Sequence, residues 1–163
     1  MLVDHYSKLL HKYVSLSVNK LTKTFQNMYP PELVKPMREH LTNYGFEELH
    51  TTEAVDEALA KEGTTLVVVN SVCGCAAANA RPGALISLQN DKKPDHLTTV
   101  FAGVDREATD QARGYMIPFP PSSPSIALFK DGELVHMLER HHIEGRPAEV
   151  IAENLMDAYN DHC

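Results

Sequence analysis

The chain has 163 residues, of which 43% are hydrophobic and 23% charged, the composition of an ordinary globular protein with one full core. Its formal net charge of -7, without a basic stripe, argues against a nucleic-acid partner. No apolar run approaches the roughly 18 residues of a membrane-spanning helix, and the first residues lack a secretory signal pattern. We therefore expect a cytoplasmic protein without a membrane anchor.

Residues 1–28 differ in character from the rest of the chain and are predicted to form an extension outside the main domain. They are locally basic, and their apolar residues recur near helical spacing without a continuous apolar core. We interpret them as a peripheral helix or a disordered extension, with a targeting or partner-binding helix as the alternative. A new segment begins at Tyr29-Pro30-Pro31, so we place a single domain over residues 29–163.

The first half of this domain is predicted to alternate helices and strands. The run from Thr65 to Asn70 is β-branched and almost uniformly apolar, which indicates a strand buried at the centre of a sheet. Before it, apolar spacing and turn residues predict a helix over 31–44, a short strand over 46–49 and a helix from Thr51 or Thr52 to about Ala60.

The most informative motif comes directly after that central strand. Val72-Cys73-Gly74-Cys75 opens a stretch of strong helix formers that is predicted to continue to about Gln89. The first amides of a helix lack partners and carry about +0.5 of a charge. A thiolate placed there is stabilised, which lowers the pKa of the thiol and makes its sulfur nucleophilic at neutral pH. The motif therefore predicts thiol–disulfide chemistry.

The second half of the domain is predicted to add three strands. Two of them flank Lys130-Asp131-Gly132, and an Asp-Gly turn between such runs is a strong hairpin signal. The predicted elements are, in order, a strand over 98–104, a helix of low amphipathicity over 107–114, a stiff loop over 118–124, strands over 125–129 and 133–138, and a last helix from Pro147 with Ile151, Leu155 and Tyr159 on one face. The order predicts an α/β fold with a mixed central sheet flanked by helices.

This order of elements resembles the thioredoxin fold, and three segments match it in register. Residues 65–75 resemble the thioredoxin strand and active-site turn, Pro82 its helix proline, and residues 123–133 its cis-proline loop and hairpin. The chain also departs from thioredoxin. Its motif is Cys-Gly-Cys rather than Cys-x-x-Cys, Val72 stands in place of a tryptophan, and Val67 in place of a buried acid.

The departures themselves resemble the bacilliredoxin family, from roughly residue 29 to the C-terminus. The resemblance is carried by residues 70–77, Arg81-Pro82, 100–103, 121–125, 140–145 and His162-Cys163. It implies a thioredoxin-like enzyme that removes bacillithiol from mixed disulfides on proteins, without a resident cofactor. The implied partners are S-thiolated client proteins, a low-molecular-weight thiol and a disulfide reductase, with bacillithiol as co-substrate.

Within this interpretation Cys73 is the nucleophile and Cys75 the resolving thiol. In this fold the first cysteine lies at the exposed end of the strand, and Cys75 is expected to point into the first helical turn and to be more protected. The small ring closed by a Cys73–Cys75 bridge is expected to be strained and therefore easily reduced. Gly74 is expected to adopt backbone angles that a side chain would forbid.

Three further residues are predicted to bind the substrate. The resemblance implies a cis Pro124, which would present the backbone of Ser123 to the bound disulfide for strand-like pairing. A rigid loop of trans prolines is the alternative. Arg81 is predicted to meet the carboxylates of bacillithiol, with a solvated surface arginine as the alternative reading.

Two features near the C-terminus have open roles. His141 and His142 follow the hairpin, and we favour a capping or loop role over one beside the cysteines. Cys163 is expected to be exposed; it either resolves a mixed disulfide or has no role, and we favour the latter.

Two other functions fit the same residues. A protein disulfide isomerase or general disulfide reductase would use the same cysteine pair. A metal-binding or redox-sensing module is the third possibility, but structural zinc takes four ligands. Only His141, His142 and Cys163 are available besides the pair, all distant in sequence, so we predict no metal site.

Overall fold

The computed structural model of the protein describes residues 29–163. The predicted extension over residues 1–28 lies outside the described residues. None of the helices formed by residues 29–163 has the length and apolar character needed to cross a bilayer.

A five-stranded mixed sheet forms the middle of the fold, in the spatial order β1-β3-β2-β4-β5. β2 pairs in parallel with β3, and β3 with β1, whereas β4 is antiparallel to β2 and to β5. The strands are β1 Glu47–Glu48, β2 Thr64–Asn70, β3 His96–Phe101, β4 Ser125–Lys130 and β5 Glu133–Leu138. The predicted fold class is confirmed, with the β-branched run at the centre of the sheet.

Six α-helices and one π-helical turn surround the sheet in the described part of the chain. The helices are α1 Pro31–Thr42, α2 Thr52–Leu59, α3 Arg81–Ser87, α4 Arg106–Tyr115, α5 Arg140–Ile143 and α6 Ala148–His162. The π-helical turn Ala76–Ala80 leads directly into α3. α2 is capped as predicted, because the Thr51 side chain accepts a hydrogen bond from the amide of Ala54 at 3.1 Å.

The two largest parts of the core lie on opposite faces of the sheet, and a third, smaller cluster contains Val34, Phe101 and Val104. Alternate residues of β2 point to opposite faces, as the two-residue period of a strand requires. Leu66 and Val68 join the part that also contains residues of α1, α3 and α6. Val67 and Val69 join the part that also contains residues of α2 and α4. Because β2 is buried along its whole length, it is a rigid support for whatever follows Asn70.

The hairpin between β4 and β5 has the predicted turn. Asp131 and Gly132 have positive φ angles of 50° and 83°, the backbone that favours an Asp-Gly pair at such turns. The pairing of Lys130 with Glu133 closes the hairpin at this turn.

The structure corrects three sequence expectations about the elements. β3 ends at Phe101 instead of continuing to Val104, because the amides of Val104 and Asp105 turn back to bond the carbonyl of Phe101. α4 is amphipathic after all, with a buried face of small residues, Ala108, Thr109 and Ala112. The short helix α5 was not predicted.

Candidate redox site

The two motif cysteines lie where β2 passes into the π-helical turn. Cys73 and Cys75 are joined by a disulfide, with their Cα atoms 5.4 Å apart. Gly74 and Cys75 already have helical backbone, so the bridge lies at the start of the helical segment. The predicted strand-to-helix setting of the motif is confirmed.

Hydrogen bonds distinguish the two sulfur atoms. The Sγ atom of Cys73 accepts from the Ser71 hydroxyl and from the Ala76 amide, each at 3.3 Å. No donor to the Cys75 sulfur is found among residues 29–163. Donors directed at a sulfur favour its charged form, so these contacts select Cys73 as the better thiolate once the bridge is reduced.

Cys73 and Cys75 are both half-buried. That Cys75 is the more protected of the two stays a prediction. The expectation for Gly74 is wrong. Its φ angle is not positive and a Cβ atom there would meet nothing within 4 Å, so its backbone is one that other residues adopt.

The loop before β4 lies beside the cysteine turn. The peptide bond between Ser123 and Pro124 is cis, as predicted. The antiparallel register pairs Val69 with Ser125, and this brings Pro124 next to the segment that leads into Cys73. Pro124 is buried and Ser123 half-buried. That Ser123 pairs with a bound substrate stays a prediction.

Arg140 holds this loop in a way that the sequence analysis missed. Its Nη1 atom donates to the carbonyl of Ser123 at 3.1 Å, and its amide donates to the Ser122 hydroxyl at 3.3 Å. The rest of its guanidinium forms two hydrogen bonds with the carboxylate of Glu144. The i,i+4 spacing of Arg140 and Glu144 was the one signal available in the sequence.

Arg81 is buried beneath the cysteine turn. Its exposed fraction is only 4%, so the alternative of a solvated surface arginine is wrong. Its Nη1 atom donates to the Asn70 side-chain oxygen at 2.9 Å and to the Ser71 carbonyl at 3.2 Å. Its Nε atom donates to Nδ1 of His40 at 3.2 Å. These contacts are all internal to the protein, so they lend no support to direct binding of an anionic ligand.

Burial lowers the pKa of both Arg81 and His40. The charge of Arg81 lowers the pKa of His40 further. His40 therefore remains neutral at neutral pH, which lets its Nδ1 atom accept the hydrogen bond from Arg81.

One histidine of the pair after the hairpin, His142, caps helix α5. The amide of His142 donates to the Glu139 carbonyl at 2.9 Å, and the amide of Glu139 donates to Nδ1 of His142 at 3.1 Å. This confirms the favoured capping role for His142. Glu139, His141 and His142 bring potential ligand atoms within 4.8 Å of one another, but the reciprocal cap already accounts for the positions of Glu139 and His142.

Cys163 lies far from the disulfide. It is half-buried rather than exposed, and packs against the core part that contains α6. The neighbouring His162 carbonyl accepts from Lys130 at 2.8 Å, at the end of β4 remote from Ser125. The six residues of β4 span about 17 Å at the usual rise per residue.

We accordingly expect Cys163→Ser to leave the rate of disulfide reduction unchanged. The separation along β4 prevents Cys163 from reaching a mixed disulfide on Cys73 in the same molecule. The measurement compares turnover of the variant and the unmodified chain on one disulfide substrate. A marked loss of turnover would mean that Cys163 takes part in resolution.

Comparison with known proteins agrees with this site. Residues 29–163 match the family described as Disulphide isomerase. A bacilliredoxin of Cytophaga hutchinsonii is 59% identical over 134 residues, covering 82% of this chain and 99% of the relative. One from Halalkalibacterium halodurans is 57% identical over 136 residues, covering 83% of this chain and 94% of the relative.

The chain belongs to the bacilliredoxin family. It is a thiol–disulfide oxidoreductase, and Cys73 and Cys75 are a redox-type pair that fits its Cys-x-Cys motif.

Solved structures confirm the fold that bacilliredoxin membership implies. The thioredoxin of Malassezia sympodialis aligns with a TM-score of 0.51 at 12% identity, covering 72% of this chain and 90% of that one. The thioredoxin of Fasciola hepatica aligns with a TM-score of 0.50 at 14% identity, covering 72% of this chain and all of that one. At such identities the likeness establishes the thioredoxin fold alone.

Proposed function

We propose that the protein removes bacillithiol from mixed disulfides on client proteins, with Cys73 as nucleophile and Cys75 as resolving thiol. The observation that carries the division of roles is the pair of hydrogen bonds to the Cys73 sulfur, one from Ser71 and one from Ala76. The choice of bacillithiol is supported by the name that the relatives carry.

In the first step the Cys73 thiolate attacks the bacillithiol sulfur of the client's mixed disulfide. A disulfide forms between Cys73 and bacillithiol, while the bond between bacillithiol and the client breaks. The client sulfur leaves with the electron pair of that bond and takes up a proton. The client is thereby reduced and the enzyme holds the adduct.

In the second step the Cys75 thiolate attacks Sγ of Cys73. The Cys73–Cys75 disulfide forms and bacillithiol leaves as a thiolate that is protonated. The Cα separation of 5.4 Å between the two cysteines suits this bridge. Two electrons and two protons from a low-molecular-weight thiol or a disulfide reductase then restore the dithiol.

The loop at Ser123 and Pro124 is proposed to receive the backbone next to the substrate disulfide. Ser123 is half-buried beside the cysteine turn, and its carbonyl is already held by Arg140. We therefore assign the Ser123 amide the main role in pairing with a substrate strand. S-thiolated proteins are the proposed clients, and a reducing compartment such as the cytoplasm is the proposed setting because the cycle starts from free thiols.

A protein carrying one bacillithiol mixed disulfide is the substrate that tests this proposal. We expect release of bacillithiol with single-exponential kinetics in the presence of the reduced enzyme, and a slower reaction with the glutathione adduct of the same protein. Equal rates on the two adducts would show that the enzyme has no preference for bacillithiol and acts as a general disulfide reductase.

A disulfide isomerase is the second candidate, because the matching family is described as Disulphide isomerase. Recovery of activity by a scrambled disulfide protein separates the two functions. Under the first proposal this recovery is much slower than removal of bacillithiol by the same enzyme. A faster recovery would favour the isomerase.

A further inference from the structure

Arg81 is a buried cation whose recorded partners are all neutral. It donates to the Asn70 amide oxygen, the Ser71 carbonyl and the His40 ring nitrogen. None of the ion pairs formed within residues 29–163 includes it. Arg38, the half-buried arginine of α1, is by contrast paired with the carboxylates of Glu48 and Asp105.

An unpaired buried charge is costly, because the interior solvates it poorly. Hydrogen bonds to neutral oxygens recover part of that cost, but they bring no opposite charge. An anion that forms nearby is therefore stabilised by the cation, and water screens the interaction less than it would at a fully exposed site.

The site beside Arg81 is one where an anion forms during the reaction. Arg81 bonds the Ser71 carbonyl, and the Ser71 hydroxyl bonds the sulfur of Cys73. Asn70 strengthens the link, since its side-chain oxygen accepts both from Arg81 and from the Ser71 amide at 2.8 Å. When the disulfide is reduced, the Cys73 sulfur takes on negative charge at the end of this chain of contacts.

The geometry points to Arg81 as a positioning residue that stabilises the Cys73 thiolate from beneath the cysteine turn, residues 70–75. It supplies the positive charge, and through Asn70 and Ser71 it holds the hydroxyl that bonds the sulfur. The inference rests on the proposal that Cys73 is the attacking thiol. Other charged or titratable groups near residues 70–75 are His40 on α1, which is neutral, and Arg140, which is paired with Glu144. Val72 also packs in a cluster with Tyr29 and Phe101, and the paired Arg38 guanidinium lies 5.1 Å from the centroid of the Phe101 ring.

The test measures the pKa of each motif thiol in the reduced full chain. Iodoacetamide labels the protein at a series of pH values, and mass spectrometry of the peptides gives separate rates for Cys73 and Cys75. We expect Arg81→Met to raise the pKa of Cys73 by about one unit or more, which lowers its labelling at neutral pH about tenfold. Arg81→Lys keeps the charge, and we expect a smaller increase.

A change at Asn70 separates charge from architecture. Asn70→Ala removes the side-chain oxygen that bonds Arg81 and the Ser71 amide, and the contact to α1, but leaves the charge of Arg81 in place. If Arg81 acts through its charge, Arg81→Met raises the pKa of Cys73 more than Asn70→Ala does. Arg38→Met, which removes a paired arginine, is the matched control and should leave this pKa unchanged.

The outcomes separate this inference from the proposed function. If Cys73 is the more acidic thiol and Arg81→Met does not raise its pKa, the role of Arg81 is overturned and the roles of the cysteines stand. If Cys75 is the more acidic thiol, the assignment of Cys73 fails and the role of Arg81 fails with it. Should Arg81→Met not fold, Arg81→Gln takes its place with the same criterion, because it removes the charge and keeps an N–H donor for Asn70 or Ser71.

Discussion

Cys73→Ala should abolish capture of bacillithiol from a mixed disulfide, whereas Cys75→Ala should capture it and then accumulate the adduct. The reason is the difference between the two sulfurs, since only that of Cys73 has hydrogen-bond donors directed at it in the described structure. Without Cys75 no internal thiolate displaces bacillithiol from Cys73. Intact-protein mass spectrometry after treatment with a bacillithiol disulfide should show the adduct mass on Cys75→Ala alone.

Cys163→Ser is the control for this pair, because it removes a thiol remote from the site and should behave as the unmodified chain. Capture by Cys73→Ala at the unmodified rate would reverse the roles of the two cysteines. Failure of both cysteines to form an adduct would remove bacillithiol as the substrate. A zinc measurement on the purified protein would then show whether the pair binds metal instead.

Gly83→Val should lower the free energy of unfolding by about 3 kcal/mol, the upper part of the range for overpacked cores. A Cβ atom at Gly83 would lie 2.7 and 2.8 Å from two side-chain atoms of Ile151 and 3.1 Å from the Ala148 carbonyl. α3 and α6 would have to move apart at this point. The same separation would strain the buried hydrogen bond of 3.0 Å between Ser87 and Tyr159.

Denaturant titration of Gly83→Val beside Gly114→Val measures this effect. Gly114 is also in a helix, but a Cβ atom there would meet nothing within 4 Å. The two variants share the same change in helix propensity, so the difference between them reports the contact of α3 with α6. Equal losses of stability would show that α6 moves away from the larger side chain at little cost in free energy.

Much of the fold is predictable from local patterns in this chain. The β-branched run 65–70 indicated a buried strand, the Asp-Gly turn a hairpin, and Thr51 or Thr52 a helix start. These signals are local, because each depends on residues close together in sequence. α4 was harder to read, since its buried face consists of alanine and threonine, which contrast weakly with polar neighbours.

The site was predictable in its cysteines and its cis-proline, but not in what supports them. The burial of Arg81 depends on α1 covering it, a contact between residues 40 and 81 that no local pattern encodes. The hydrogen bond from Arg140 to the Ser123 carbonyl likewise joins residues that are 17 positions apart in sequence. The role given to Gly74 came from the general behaviour of glycine, whereas its backbone in this turn is ordinary.

The position of α1 limits where this chain can be shortened. Asn70 donates to the Met37 carbonyl at 3.1 Å, and Arg81 donates to His40. Helix α1 therefore contributes directly to the contacts that support the cysteine turn. A truncated chain or a fusion joint placed before Tyr29 keeps both contacts. One placed after α1 removes both, so the Nε atom of Arg81 and the side-chain NH2 group of Asn70 each lose their partner on α1, even though every strand and both motif cysteines are still present.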